Sequence, residues 1–168
     1  MKKLIALILL MSLGVFFVGC KKATKITYLS KQEIFTQGET YFVVFVKDNC
    51  SDCEKVKPLL ITYLDLLKKE DVKFADKSKV YGVNLSEKGM EKIFRTYNES
   101  RLDWGEGQGP SKNFWVNGVE VWDQLYIAET AAMISIGTTK EGAVKATFEA
   151  AGYDAIYSRL TSHLGLDG

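Results

Sequence analysis

A mixed α/β domain is predicted by three features of the chain. Tyr41-Phe42-Val43-Val44-Phe45-Val46 is an unbroken run of aromatic and β-branched residues, an amphipathic segment follows Cys53, and Val80 to Leu85 is a second apolar stretch. A continuous apolar run of this length is the pattern of a strand buried on both faces of a sheet. In the next segment Val56, Leu59, Leu60, Tyr63, Leu64 and Leu67 recur at intervals of three and four, with charges on the other face, which is helical spacing. Val80-Tyr81-Gly82-Val83-Asn84-Leu85 then reads as a further strand, and Glu87 to Tyr97 as a helix after it.

The whole composition fits one globular domain. Of 168 residues 46% are hydrophobic and 26% charged, which excludes disordered and low-complexity classes. The net charge is +1 and no long like-charged block occurs, so there is no electrostatic footprint for a polyanion and nucleic acid is not an expected partner. His163 is the single histidine. With no second Cys-x-x-Cys and no histidine pair, the four-ligand frameworks of zinc sites are missing, and neither a metal nor another cofactor is expected.

The N-terminus has its own logic. Lys2 and Lys3 precede an apolar stretch from Leu4 to Val18, then Gly19-Cys20 and Lys21-Lys22. A charged start followed by an apolar middle reads as a secretory signal; the alternative, a permanent N-terminal anchor, would need about 20 predominantly apolar residues, more than this stretch has. Phe17-Val18-Gly19-Cys20 resembles the lipobox of bacterial lipoproteins, in which a small residue precedes a cysteine that receives diacylglycerol. Phe17 departs from the usual leucine. The resemblance implies cleavage of residues 1–19, a lipid on Cys20, a short tether over 20–25, and a domain over 26–168 held on a membrane outside the cytoplasm.

Cys20 as the lipid site explains the odd cysteine, leaving Cys50-Ser51-Asp52-Cys53. A loop this short removes little entropy from the unfolded chain, so the pair suits a disulfide that opens and closes better than it suits a staple. A structural disulfide is the other use. A strand that delivers Cys50 to the first turn of a helix sets its sulfur among unpaired N–H groups, where the thiolate is favoured and the thiol pKa depressed. Ser51 and Asp52 are the residues placed to tune it, Asp52 alternatively being a solvated loop residue.

The chain resembles the thioredoxin superfamily in more than Cys-x-x-Cys. Pro58 stands five residues beyond Cys53, where thioredoxins carry a proline in the active-site helix. Gly109-Pro110-Ser111 is followed by Lys112 to Val116 as a strand, the Asn117-Gly118 hairpin turn, and Val119 to Trp122 as its partner. This resembles the thioredoxin succession of cis-proline, apolar strand, Asn-Gly turn and edge strand. The resemblance covers about Ile26 to Trp122 and implies a thioredoxin-like fold, a central mixed sheet flanked by helices. It also implies that Gly109 and Pro110, in a cis-proline loop beside Cys50, bind the substrate backbone, the alternative being that Pro110 is an ordinary trans loop proline. Two positions depart from it: Val44 stands where thioredoxins bury an acid, and Asn49 where an aromatic precedes the first cysteine.

Beyond Asp123 an extended helical region is expected. Ala131 to Gly137 reads as strand or helix, Thr138-Thr139-Lys140-Glu141 as a capping box for a helix to about Ala151 stopped by Gly152, and Asp154 to Leu164 as a last helix. Trp104 and the glycines leading into Pro110 read as a connecting loop or a flexible substrate platform. The resemblance implies a thiol-disulfide oxidoreductase with Cys50 as nucleophile and Cys53 as resolving thiol. Its substrates would be protein thiols or disulfides, served with a redox partner that the chain does not identify. The alternative is an adapter lipoprotein with the disulfide permanently closed. The small extracytoplasmic proteins that accompany bacteriocin export are a narrower resemblance within this class.

Overall fold

The computed structural model describes residues 23–69, 72–90 and 106–166. The expected signal over 1–19, Cys20, the helix expected over 87–97 beyond Met90, and Trp104 with Gly105 lie outside the described residues.

In chain order the elements are β1 (Tyr41–Val46), α1 (Ser51–Leu67), β2 (Val80–Asn84), β3 (Ala132–Thr138), β4 (Val144–Ala151) and α2 (Tyr153–Leu164), with short 3-10 turns at Val72–Phe74 and Trp122–Gln124. The strands form a mixed sheet in the order β2-β1-β3-β4. β1 runs parallel to β2 with Phe42 opposite Val80, as a helical crossover requires, and antiparallel to β3 with Phe45 opposite Ala132. β3 and β4 form an antiparallel hairpin. This is the mixed sheet flanked by helices expected of a thioredoxin-like fold.

The alternation of β1 divides the core. Tyr41, Val43 and Phe45 pack with Ile134, Ile136, Phe114, Val116, Leu125 and Ile127 on one face, under the segment 106–127. Phe42, Val44 and Val46 pack on the other face with Val56, Leu60 and Tyr63 of α1 and Ile156, Leu160 and Leu164 of α2. Every residue of β1 is buried, so the apolar run needs no polar face. Thr27 to Leu29 lies along the outer edge of β2, where the Gly82 amide donates to the Thr27 carbonyl and the Leu29 amide to the Gly82 carbonyl, both at 2.9 Å.

Three expectations for the second half change. Residues 144–151 form a strand, not a helix: Thr139 to Ala143 close the β3–β4 turn, with the Gly142 amide on the Thr139 carbonyl and Gly142 at φ 86. The region is therefore a hairpin followed by one helix, α2, which matches the helix expected over 154–164. Its sequence carries the reason. Val144, Ala146 and Phe148 alternate with Lys145, Thr147 and Glu149, a period of two that outweighs the capping-box residues.

The hairpin expected over 112–122 adds no paired strands to the sheet. Phe114 and Trp115 make only isolated bridges, to Gln108 and Tyr126. The Asn117-Gly118 turn instead seals the edge of β4: Asn117 Oδ1 accepts the Phe148 amide at 2.7 Å, and the Gly118 amide donates to the Ala146 carbonyl at 2.9 Å.

Finally, among the described residues the cis peptide bond is Thr130–Ala131, immediately before β3, and not the bond before Pro110. Pro110 sits exposed in a turn that the Lys112 amide closes onto the Gly109 carbonyl. Gly109, at φ 81, lies against Phe114 and Phe148, with room for no side chain. The physical reason is strand pairing. The strand that pairs with the end of β1 is β3, so the loop entering β3, and not the loop at Gly109, reaches Cys50.

Candidate redox site

The site grows from the end of β1. Val46 and Leu85 hold the ends of the parallel pair together, the Leu85 amide donating to the Val46 carbonyl at 2.8 Å, and the Asp48 amide donates to Ser86 Oγ at 2.8 Å. Asn49 then takes φ 55, a left-handed conformation that asparagine tolerates better than most residues. That reversal turns the chain into α1 with Cys50 as its N-cap.

Cys50 and Cys53 are joined as a disulfide with Cα atoms 5.2 Å apart. Cys50 Sγ accepts the Cys53 amide at 3.2 Å, as an N-cap side chain does, and receives the Thr130 hydroxyl at 3.5 Å. Two donors therefore converge on one sulfur. Cys50 is 9% exposed and Cys53 fully buried, so Cys50 is the more accessible of the two. Cys53 lies in the apolar cluster with Val44, Val56, Met133 and Ile156. Val44, at the position where an acid was missed in the sequence, is itself fully buried.

Ser51 is exposed at the start of α1. Asp52 turns sideways: its Oδ2 accepts the Tyr153 amide at 3.3 Å, and its Oδ1 lies 3.8 Å from Lys55 Nζ. Gly152, the N-cap residue of α2, has no side chain to cap that helix, so Asp52 supplies a cap from another element. α1 runs unbroken through Pro58, and Thr62 donates its hydroxyl to the Pro58 carbonyl at 3.0 Å.

The structure thus brings together Cys50, Cys53 and Asp52, and leaves Gly109 and Pro110 in a turn packed on Phe114 and Phe148. The residue that sequence reasoning missed is Thr130. Its signal was the polar step before the apolar run Ala131 to Gly137, legible only once that run is known to be the partner of β1. Among the described residues no helix is long and apolar enough to cross a membrane.

No family model and no curated protein matches the chain. Among 23 matching chains of solved structures is the J-Trx1 fragment of ERdj5, at 12% identity and a TM-score of 0.42, over 83% of this chain and 52% of that one. The chain spans about half the length of that fragment. The thioredoxin-like fold rests on the topology itself, a strand-helix-strand unit followed by an antiparallel hairpin and a helix, with a Cys-x-x-Cys at the start of the first helix.

Proposed function

We propose that the protein is a thiol-disulfide oxidoreductase anchored through lipid on Cys20 to a bacterial cell membrane, facing outside the cytoplasm, and acting on protein thiols or disulfides. The observation that carries the redox reading is the Cys50–Cys53 disulfide at the N-terminus of α1, with the Cys53 amide and the Thr130 hydroxyl both directed at Cys50 Sγ. Those two donors favour a thiolate on Cys50 once the pair is reduced.

In the reducing direction the Cys50 thiolate attacks one sulfur of a substrate disulfide. The substrate S–S bond breaks, a Cys50–substrate disulfide forms, and the released substrate thiolate takes a proton. Cys53, after losing its proton, attacks Cys50 Sγ and expels the second substrate thiolate. Two electrons have then passed to the substrate and the domain carries the Cys50–Cys53 disulfide, which a dithiol partner must reopen. Oxidation of a substrate dithiol is the same sequence reversed. Because Cys53 is buried beside Val44 and not beside a carboxylate at that position, its proton passes to water or to Asp52.

Trapping tests this reading: Cys50→Ser abolishes turnover of a protein disulfide, and Cys53→Ser accumulates mixed disulfides through Cys50, seen as adducts that reductant removes. A lack of adducts in cells counts against an enzyme. The burial of both sulfurs favours a second reading, an adapter whose disulfide stays closed. The reduction potential separates the two. A value near about −270 mV fits a reductase and one near about −120 mV an oxidase, whereas a pair still closed well below about −300 mV fits the adapter.

A further inference from the structure

The first described residues are bound to the domain. Thr27 to Leu29 pairs with the edge of β2, and Gly82, lacking a side chain, lets the Tyr28 ring lie where a Cβ would be 2.7 Å from two of its carbons. Upstream, the Thr24 hydroxyl binds Asp65, and Lys68 Nζ donates to Thr24 Oγ1 at 2.7 Å. Asp65 and Lys68 belong to the last turn and C-cap of α1, and Cys50 is that helix's N-cap. Thr24 is therefore fastened at one pole of the domain and the disulfide lies at the other. From Cys53 to Asp65 the helix advances about 18 Å.

Only Lys21, Lys22 and Ala23 lie between Cys20 and Thr24, so the two are four Cα steps apart, a reach of at most about 14 Å when fully extended. A chain anchored at Cys20 has no long linker on which to swing. The charges of the two poles differ as well. Around the tether, Lys25, Lys68, Lys69, Lys73, Lys77 and Lys79 outnumber Glu39, Asp65 and Asp76 among the described residues. Around the disulfide, Asp48, Asp52, Glu54, Glu87, Glu129 and Asp154 outnumber Lys47, Lys55, Lys57 and Lys88 among the described residues. An anionic headgroup layer attracts the first pole and repels the second within about a Debye length.

We propose that the docked N-terminal segment is an orienting tether. It seats the lysine-bearing pole, at the C-terminal end of α1, on an anionic lipid surface and holds Cys50–Cys53 away from it. The partners of the disulfide are then thiols or disulfides carried in the aqueous space within a few tens of ångströms of the bilayer, not thiols at the lipid interface. This rests on the lipid-anchored reading of Cys20 and adds the direction in which the site faces.

The test uses the full chain with its lipid, in vesicles of phosphatidylcholine and phosphatidylglycerol. A thiol on the headgroup of a phosphatidylethanolamine is offered to the domain, with dithiothreitol as the soluble reference, and opening of Cys50–Cys53 is followed by alkylation and mass. A Gly-Ser linker of about twelve residues between Lys22 and Ala23 adds roughly 20 Å of mean span. Relative to dithiothreitol, the lipid thiol is expected to open the native chain at least about tenfold more slowly than the linker-extended chain, because the linker raises its effective concentration at the site. Tyr28→Ala, which frees the docked segment, shifts the ratio the same way and removes hydrogen-exchange protection of the Gly82 amide. Equal ratios in all three chains, with each floating with the vesicles, overturn the orientation alone. A chain that does not float overturns the anchor, and the orientation with it.

Discussion

Thr130 and Asp52 each reach the site from one atom, and each makes a prediction that one substitution can check. Thr130→Val keeps the shape and removes the hydroxyl that donates to Cys50 Sγ. With one donor fewer, the Cys50 thiol pKa rises, and alkylation of the reduced protein by iodoacetamide at neutral pH slows about fivefold, the equivalent of roughly 1 kcal/mol for a hydrogen bond. An unchanged rate would mean that the hydroxyl does not bear on the thiolate. Asp52→Ala removes the acceptor for the Tyr153 amide and leaves α2 without a side-chain cap. Urea unfolding should show a loss of about 1 kcal/mol, with Asp52→Asn retaining most of it. The sequence placed Asp52 between the cysteines and offered it as a tuner. Its second partner, a helix a hundred residues further along, was not legible because nothing in the local pattern records which element will lie beside the loop.

At the scale of elements, β1, α1, β2 and α2 were legible because their apolar residues recur with an unambiguous period or run. β4 was not read correctly, although Val144 to Glu149 alternates strictly, since Thr138 to Glu141 matched a helix start. A capping box describes four residues; the alternation describes six and decides which backbone buries its apolar side. The register shift between Met133 and Ile134 then turns Ala150 to the helix-covered face, while Phe148 stays on the other. The bridge from Thr27–Leu29 to the edge of β2 was also unforeseen, the segment being too short to show a period. Gly82→Val tests it: the new side chain would collide with the Tyr28 ring, costing about 1–3 kcal/mol and exposing the Leu29 amide to hydrogen exchange. Unaltered protection of that amide would contradict the docking.

The molecule as a whole is joined across its helix-covered face by His163. Its Nε2 accepts the Ser78 amide at 3.1 Å, and its ring meets the edge of Phe42, so α2 is tied to the connection that enters β2 and to β1. Accepting an N–H requires the neutral imidazole. Partial burial, with Arg159 and Lys77 nearby, lowers the His163 pKa from its ordinary 6.5, while Glu149 and Asp76 oppose the shift. A depressed folded-state pKa means that the unfolded chain binds the proton first. Stability is therefore full above about pH 6.5 and falls as the pH drops from there through the folded-state pKa. Chemical denaturation across this range should show the decline in the native protein and a flatter profile in His163→Gln. Matching profiles would remove His163 as its source.

What the sequence by itself determined is the chemistry and its carrier: one Cys-x-x-Cys, a buried strand aimed at it, and an amphipathic helix leaving it. These are local properties, set by residue type and by periods that any short window displays. The tertiary structure alone decided which loop faces Cys50. Pro110 had the expected neighbours in sequence, but Thr130 has the expected neighbour in space, because Phe45 pairs with Ala132 across the antiparallel join of β1 and β3. That choice depends on which of several apolar segments buries most surface against β1 while satisfying its backbone hydrogen bonds, a competition among distant segments that only the folded chain resolves.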